Sequence, residues 1–217
     1  MRVRCPQPRP SKSRDGMPAP LPPRGVNLAV EARRSRFHLY PTTLAYGVGG
    51  VALLLAAVAA PAPWTAALLG IVAFSGVEYF VHRSVLHGRF PDGPGPLRRL
   101  LHRRLDHLHY VHHMKPWDGA HLHGGLNDTL PVVLPLALAA AAVGGGGAAF
   151  VGALLLAYVA EEWTHHALHY GRSQLPPLVY LRRRHFLHHS PRGEARAFGL
   201  TSGLWDAAFG TGWRRGR

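Results

Sequence analysis

Residues 130–163 read LPVVLPLALAAAAVGGGGAAFVGALLLAYVAEEW, and this apolar stretch decides the fold. None of its 34 residues is Asp, Glu, Lys, Arg or His before Glu161. One straight helix of that length would measure about 50 Å, which is too long for the roughly 30 Å hydrocarbon core of a bilayer. Four glycines at 144–147 lie near the middle and indicate a break. The sequence therefore predicts two short spans, 129–143 and 148–163.

A second apolar region lies earlier in the chain, and residues 43–61 also lack charged side chains and histidine. It predicts spans at about 40–60 and 64–82, joined by the uncharged turn Pro61-Ala62-Pro63. The predicted fold is an all-α integral membrane protein with four transmembrane helices in two hairpins. Its membrane domain covers 37–217 and carries a histidine-rich helical cap, formed by residues 82–128 and 164–217. Residues 1–36 contain seven prolines among basic residues and predict a disordered tail.

The chain is strongly basic, and its charged residues are unevenly distributed. Of 217 residues, 25 are Lys or Arg and 11 are Asp or Glu, and the only cysteine, Cys5, excludes a disulfide scaffold. Nine Lys and Arg precede Phe37, seven lie between Arg83 and Lys115, and nine follow from Arg172 onward. With paired spans, all of them fall on one side of the membrane, which indicates cytosolic termini and a cytosolic cap. We expect the protein to lie in the bacterial inner membrane. We expect no nucleic-acid partner, because no nucleic-acid-reading module accompanies the charge.

Ten of the 16 histidines form four clusters along the chain. Residues three and four apart share one face of a helix, so each H-x-x-H-H cluster points its histidines together. His82 and His87 are five apart, about 140° around an ideal helix, so the helix should end or distort between them. Imidazole binds iron and zinc well, and ten imidazoles exceed the capacity of one ion, which favours a two-metal site. The ten are His82, His87, His109, His112, His113, His165, His169, His185, His188 and His189.

Simpler interpretations of these histidines compete with the metal site. A single basic helix rich in histidine could lie on lipid headgroups, but four clusters, two with the same H-x-x-H-H spacing, favour metal. The other six histidines are interpreted as ordinary residues, although His107 and His166 are neighbours of the clusters and are alternatives to a nearby ligand. These six are His38, His102, His107, His121, His123 and His166.

The ordered motifs resemble the fatty acid hydroxylase / sterol desaturase superfamily of membrane di-iron proteins, and most of all its fatty acid 2-hydroxylases. The resemblance covers Gly76 to Thr211, with the elements in the family's order. One departure is Leu105, where relatives often have another histidine. The matching stretches are EYFVHRSVLH at 78–87, HYVHH at 109–113 with PWDG at 116–119, THHALHYG at 164–171, and HFLHH at 185–189 with FGLT at 198–201 and LWD at 204–206.

The resemblance implies a monooxygenase, with the ten clustered histidines as ligands of two iron ions. It implies O2 as cosubstrate, a lipid substrate taken from the bilayer, and two external electrons. A separate donor would supply the electrons, either a ferredoxin or a cytochrome b-type protein with its reductase. Zinc readily occupies histidine sites, so a purified sample can carry zinc in place of iron.

Four carboxylates near the clusters are candidates for holding the ligands in position, because a ligating histidine usually donates its other N–H to a carboxylate or carbonyl. They are Glu78, Asp118, Glu161 and Asp206. For Asp206, a structural cap formed by the Trp205-Asp206 segment is an equal alternative.

The expected reaction is hydroxylation of a lipid C–H bond at the 2-position of a fatty acyl chain. Hydroxylation or desaturation of a sterol or carotenoid is the alternative within the same superfamily. A non-enzymatic membrane metal-binding or transport protein is a third interpretation. A transporter places its ligands near the bilayer midplane, whereas these histidines lie outside the apolar segments.

Overall fold

The computed structural model describes residues 22–88, 90, 94–102, 107–190 and 196–213, with only the backbone at 107 and 108. Within these residues all regular structure is helical, as predicted for the fold class. The helices are α1 Leu28–Ala57, α2 Pro63–Phe80, a π-helical segment Val81–Leu86, α3 Pro96–Leu101, α4 His107–Met114, α5 Leu126–Val143, α6 Gly145–Tyr170, α7 Pro176–His188 and α8 Leu204–Ala208.

Four helical stretches are long and apolar enough to cross a membrane, which confirms an integral membrane protein with four spans. They cover Leu28–Ala57, Pro63–Leu86, Leu126–Val143 and Gly145–Tyr170. Many apolar side chains on their outer faces are exposed, among them Leu44, Leu55, Leu68 and Val132. Such a surface is unfavourable in water and suits contact with lipid tails.

The first helix begins earlier than the sequence predicted. Asn27 lies before it and its Oδ1 accepts the N–H groups of Ala29 and Val30, at 3.0 and 3.3 Å. This cap satisfies amide groups that the first turn of a helix leaves free. The helix therefore includes residues 28–36, which the sequence analysis assigned to the tail, and residues 1–21 lie outside the described part of the chain.

The predicted break in the second apolar block lies at Gly144 and Gly145, whose φ angles are 68° and 51°. These left-handed conformations favour glycine and reverse the chain between α5 and α6. Helix α6 then runs to Tyr170, past the predicted end at 163. Its 26 residues span about 39 Å, so its last turns extend beyond the hydrocarbon and carry His165 and His169.

Helix α6 is the centre of the bundle and packs against α1, α2 and α5. Two close backbone approaches fix it there. A Cβ added to Gly50 of α1 would lie 2.8 Å from the Gly152 carbonyl oxygen, and one added to Gly70 of α2 would lie 2.2 Å from the Phe150 oxygen. Small residues let membrane helices approach closely enough for dense packing without a hydrophobic driving force between them.

A pair of substitutions in α1 tests this packing. Gly50→Ala should lower the unfolding temperature of the detergent-solubilised protein, because overpacking costs about 1–3 kcal/mol. Gly47→Ala is the matched control, since a Cβ there meets no atom within 4 Å. It should raise stability by roughly 0.5–1 kcal/mol, because alanine restricts the unfolded chain more than glycine. Equal effects of the two variants would contradict the close approach of α1 and α6.

Candidate metal centre

The end of α2 turns into a π-helix between His82 and His87, where the sequence predicted that the helix ends or distorts. The His87 N–H donates to the His82 carbonyl oxygen at 3.0 Å, five residues earlier. A π-turn is wider than an α-turn, and such turns recur at functional sites. Here it brings His82 and His87 to one face, with their ring centroids 5.1 Å apart.

A first cluster of five histidines forms at this turn. The His109 Nε2 is its hub and lies 3.2 Å from the Nε2 of His82, 2.9 Å from that of His87 and 3.0 Å from that of His113. The Nε2 atoms of His87 and His188 are 3.0 Å apart. The ligand atoms of the five all lie within 4.8 Å of one another. The members are His82, His87, His109, His113 and His188.

A second cluster of five lies beside the first. The His185 Nε2 is its hub, at 3.2 Å from the Nε2 of His165, 2.7 Å from that of His169 and 3.0 Å from that of His189. The centroids of His113 and His189, one from each cluster, are 4.4 Å apart. The members are His112, His165, His169, His185 and His189.

Each H-x-x-H-H motif divides its histidines between the two clusters, contrary to the expectation that they point together. In α4, His109 and His113 belong to the first cluster and His112 to the second. In α7, His188 belongs to the first and His185 with the following His189 to the second. The first cluster also takes rings from the end of α2 and the second takes rings from the end of α6, so α4 and α7 each contribute to both clusters. Residues i and i+4 therefore face one way and the remaining histidine faces the other.

Hydrogen bonding alone cannot satisfy this arrangement. A neutral imidazole has one N–H and one lone pair, so the His109 Nε2 cannot serve three other nitrogens. The buried Nδ1 and Nε2 of His112 and the Nδ1 of His189 have no hydrogen-bond partner among the described residues. Nitrogens bound to one ion at about 2.0–2.1 Å lie roughly 2.9–3.4 Å apart, which is close to the spacings around both hubs. The residues therefore fit two metal ions.

The rings are held in the neutral form that a metal ligand requires. Burial, followed by neighbouring imidazoles, lowers the pKa of His87 to about 3 and that of His113 to about 2. The same two causes place the pKa of four other cluster histidines well below the usual value of 6.5, namely those of His109, His112, His185 and His189. Their lone pairs are thus free at neutral pH.

Two backbone carbonyls near the C-terminus fix the tautomer in the first cluster. The His82 Nδ1 lies 2.5 Å from the Phe198 carbonyl oxygen, and the His188 Nδ1 lies 2.7 Å from that of Arg196. A carbonyl only accepts, so both Nδ1 atoms carry the proton and both Nε2 atoms present a lone pair to the cluster. The Phe198 ring covers the same two rings, with its centroid 5.9 Å from that of His82 and 5.7 Å from that of His188.

The four predicted carboxylates do not accept N–H groups from the clustered rings. Glu78 accepts hydrogen bonds from the backbone N–H groups of Leu200 and Thr201, and Asp206 accepts those of Phe198 and Gly199.

Asp118 accepts hydrogen bonds from the Ala120 N–H and the His121 ring, and the Arg34 guanidinium lies nearby. Although burial opposes them, these hydrogen bonds and the electrostatic interactions with His121 and Arg34 lower the pKa of Asp118. The side chain of Glu161 makes no hydrogen bond with another described residue.

The buried acid beside the second cluster is Glu162, which sequence reasoning missed. Its carboxylate accepts hydrogen bonds from the His123 Nδ1 and, at 2.7 Å, from the Tyr158 hydroxyl. The Ser35 hydroxyl of α1 lies 2.8 Å from both the His123 Nε2 and the His166 Nδ1. His166 therefore belongs to this polar network and to neither cluster, and the side chain of His107 lies outside the described part of the structure.

Comparison with known proteins identifies a family of similar proteins. The family description that matches is fatty acid hydroxylase, over residues 67–211. The dihydroceramide fatty acyl 2-hydroxylase FAH2 of Arabidopsis thaliana is 31% identical over 144 residues, 65% of this chain and 58% of that protein. The fatty acid 2-hydroxylase of Homo sapiens is 30% identical over 154 residues, 66% of this chain and 38% of that protein. The chain thus spans less than two thirds of the length of either relative.

A solved structure shares the fold. The visible hydroxylase domain of full-length Scs7p superposes with a TM-score of 0.66 at 24% identity. The superposition covers 81% of this chain and 67% of that one.

The Glu162 network makes a prediction about stability. His123→Ala removes a hydrogen bond to a buried carboxylate and should lower the free energy of unfolding by about 1–3 kcal/mol. His121→Ala is the control, because that ring is 36% exposed and bonds a carboxylate at the surface. Chemical denaturation in detergent micelles measures both variants. The network would have no stabilising role if His123→Ala unfolded like the wild type.

Proposed function

This chain belongs to the fatty acid hydroxylase family, and on that premise we propose that it is an oxidoreductase that hydroxylates a lipid C–H bond. The position proposed is carbon 2 of a fatty acyl chain. The relatives that carry this comparison are fatty acyl 2-hydroxylases of a plant and a mammal. The observation that supports the proposal most is the pair of adjacent five-imidazole clusters at one end of the transmembrane helices.

The two clusters are proposed to bind one iron ion each, through the ten histidines that the sequence singled out. Bound iron would supply the activation of O2, with two electrons from a separate ferredoxin or cytochrome b-type donor and its reductase. The protein keeps the ring nitrogens neutral by burial and converges them, so the ligands need little rearrangement. Imidazole also accepts zinc, which can occupy the sites in a purified sample.

The place of the clusters favours catalysis on a membrane lipid over metal transport. His87 follows the π-helical end of α2, and His165 and His169 lie in the last two turns of α6. Transporters place their ion sites near the bilayer midplane, whereas these histidines lie at helix ends. Because every Lys and Arg falls on that side in the topology that the sequence predicts, we propose that the site faces the cytosol of a bacterial inner membrane.

An apolar groove on the lipid side offers a route for the acyl chain. Its floor runs along α2 and ends at Val81, the residue before His82. We propose that the acyl chain of the lipid lies in this groove with its polar end toward the basic cap. The lining includes Leu69, Val72, Val77, Phe80, Phe150 and Trp205.

Metal content and activity together test the two-metal site. The protein reconstituted without oxygen should hold two iron ions per chain and oxidise its lipid. His112→Ala removes a buried ring from the second cluster and should abolish product formation. His38→Ala is the matched control, an exposed histidine outside both clusters, and should retain both metal and activity. Unchanged product from His112→Ala would contradict the proposal.

The product identifies the substrate class. Lipid mass spectrometry on cells expressing the wild type should show 2-hydroxylated acyl chains, and cells expressing His112→Ala should lack them. The inactive variant controls for effects of overexpression on the membrane. Oxidised sterols or carotenoids without any 2-hydroxyacyl lipid would instead support the alternative reaction within the superfamily.

A further inference from the structure

We propose that Asp206 and Glu78 are positioning residues for the first cluster only, acting through the backbone of residues 196–201. We call this segment, together with its anchor Asp206, the C-terminal clamp. The inference rests on the proposed metal binding and adds that the two metal sites depend on different parts of the protein.

The clamp reaches the first cluster through two peptide carbonyls. The Phe198 oxygen accepts from the His82 Nδ1, and the Arg196 oxygen accepts from the His188 Nδ1. These bonds orient two of the five rings and fix which nitrogen faces the ion. A shift of the clamp backbone would therefore rotate both rings together.

Asp206 holds the first half of the clamp. It is 1% exposed and accepts from the N–H groups of Phe198 and Gly199, at 3.0 and 2.8 Å. Its carboxylate also binds the Arg184 guanidinium at 2.6 Å, and the Thr211 hydroxyl at 2.7 Å. Because Arg184 lies one turn before His188 on the same face of α7, the carboxylate also ties the clamp to the part of the helix that carries this ring.

Glu78 holds the second half of the clamp to α2. Its Oε1 accepts from the N–H groups of Leu200 and Thr201, and its Oε2 from the Thr201 hydroxyl. Glu78 lies one turn before His82 on the same helix. One carboxylate therefore sets the distance between the His82 ring and the carbonyl that binds it.

The backbone of the clamp contains two conformations that hold its carbonyls in place, one at Ala197 and one at Gly199. Ala197 has φ 58°, a left-handed conformation that is unfavourable for a residue with a Cβ. It lies between Arg196 and Phe198, whose carbonyls both bind rings of the first cluster. A Cβ on Gly199 would lie 2.1 Å from the Ser202 oxygen, so only glycine fits the turn. Strain of this kind persists where the surroundings hold the chain firmly.

The second cluster has no corresponding support from the clamp. The described residues show no hydrogen bond from its rings to residues 196–201, and the Nδ1 atoms of His112 and His189 have no partner. Loss of a residue that orients a metal ligand typically weakens metal affinity by about 10–100-fold. We expect that loss at one site only.

Zinc release from single-cluster proteins tests the inference. His185→Ala removes the hub of the second cluster and leaves the first, and His109→Ala does the reverse. The full-length proteins are loaded with zinc, and transfer to a chromogenic chelator is followed over time. Asp206→Asn should speed release about tenfold or more in the His185→Ala background and leave it unchanged in the His109→Ala background.

Two further variants separate positioning from general destabilisation. Thr201→Val removes one hydroxyl bond to Glu78 and should give a smaller acceleration with the same selectivity, even if Asp206→Asn folds poorly. Asp118→Asn makes the same charge change outside the clamp and should alter neither release rate. Equal acceleration at both clusters by Asp206→Asn or Thr201→Val, or none at the first, would overturn the inference. A wild type that binds fewer than two zinc ions would overturn the two-metal proposal itself, and the inference with it.

Discussion

Ten imidazole rings crowd into one end of a helical bundle, and their nitrogens approach one another more closely than hydrogen bonding can satisfy. The lone pairs that converge on His109 and His185 repel each other unless a cation lies between them. Burial makes protonation of the rings an expensive alternative, because a buried imidazolium loses its hydration. The packing and hydrogen bonding of the helices must therefore offset the repulsion within this electron-rich centre.

The centre is held at the C-terminal ends of α2 and α6, the two spans with the largest buried share. Glycine contacts seat α6 against α1 and α2, so the C-terminal ends of α2 and α6 are fixed side by side. The π-turn at Val81–Leu86 then aims two rings from α2 toward one point. The short helices α4 and α7 contribute to both clusters, which couples the two sites through rigid elements.

Carboxylates near hydrocarbon are costly unless they are fully bonded, and Glu78, Glu162 and Asp206 each accept several hydrogen bonds. Glu162 joins α6 to the loop after α4 through His123, and Ser35 extends the network to α1. Glu78 and Asp206 accept backbone N–H groups and so shape the polypeptide that holds His82 and His188. Glu78 and Asp206 thus contact the backbone that bonds His82 and His188, which differs from the direct pairing that sequence proximity suggests.

Hydropathy and spacing alone predicted four spans, the break at the glycines, a distorted turn after Phe80 and the ten clustered histidines, because each depends on residues adjacent in the chain. They misplaced the start of α1, and they pointed to Glu161 instead of Glu162, although both lie about one turn before His165. Only the tertiary structure divided the histidines into two sets and placed the Arg196 and Phe198 carbonyls against two of the rings. Those features depend on how helices are rotated and docked against one another, and a contact such as that of His82 with Phe198, 116 positions apart, leaves no periodic signal in the sequence.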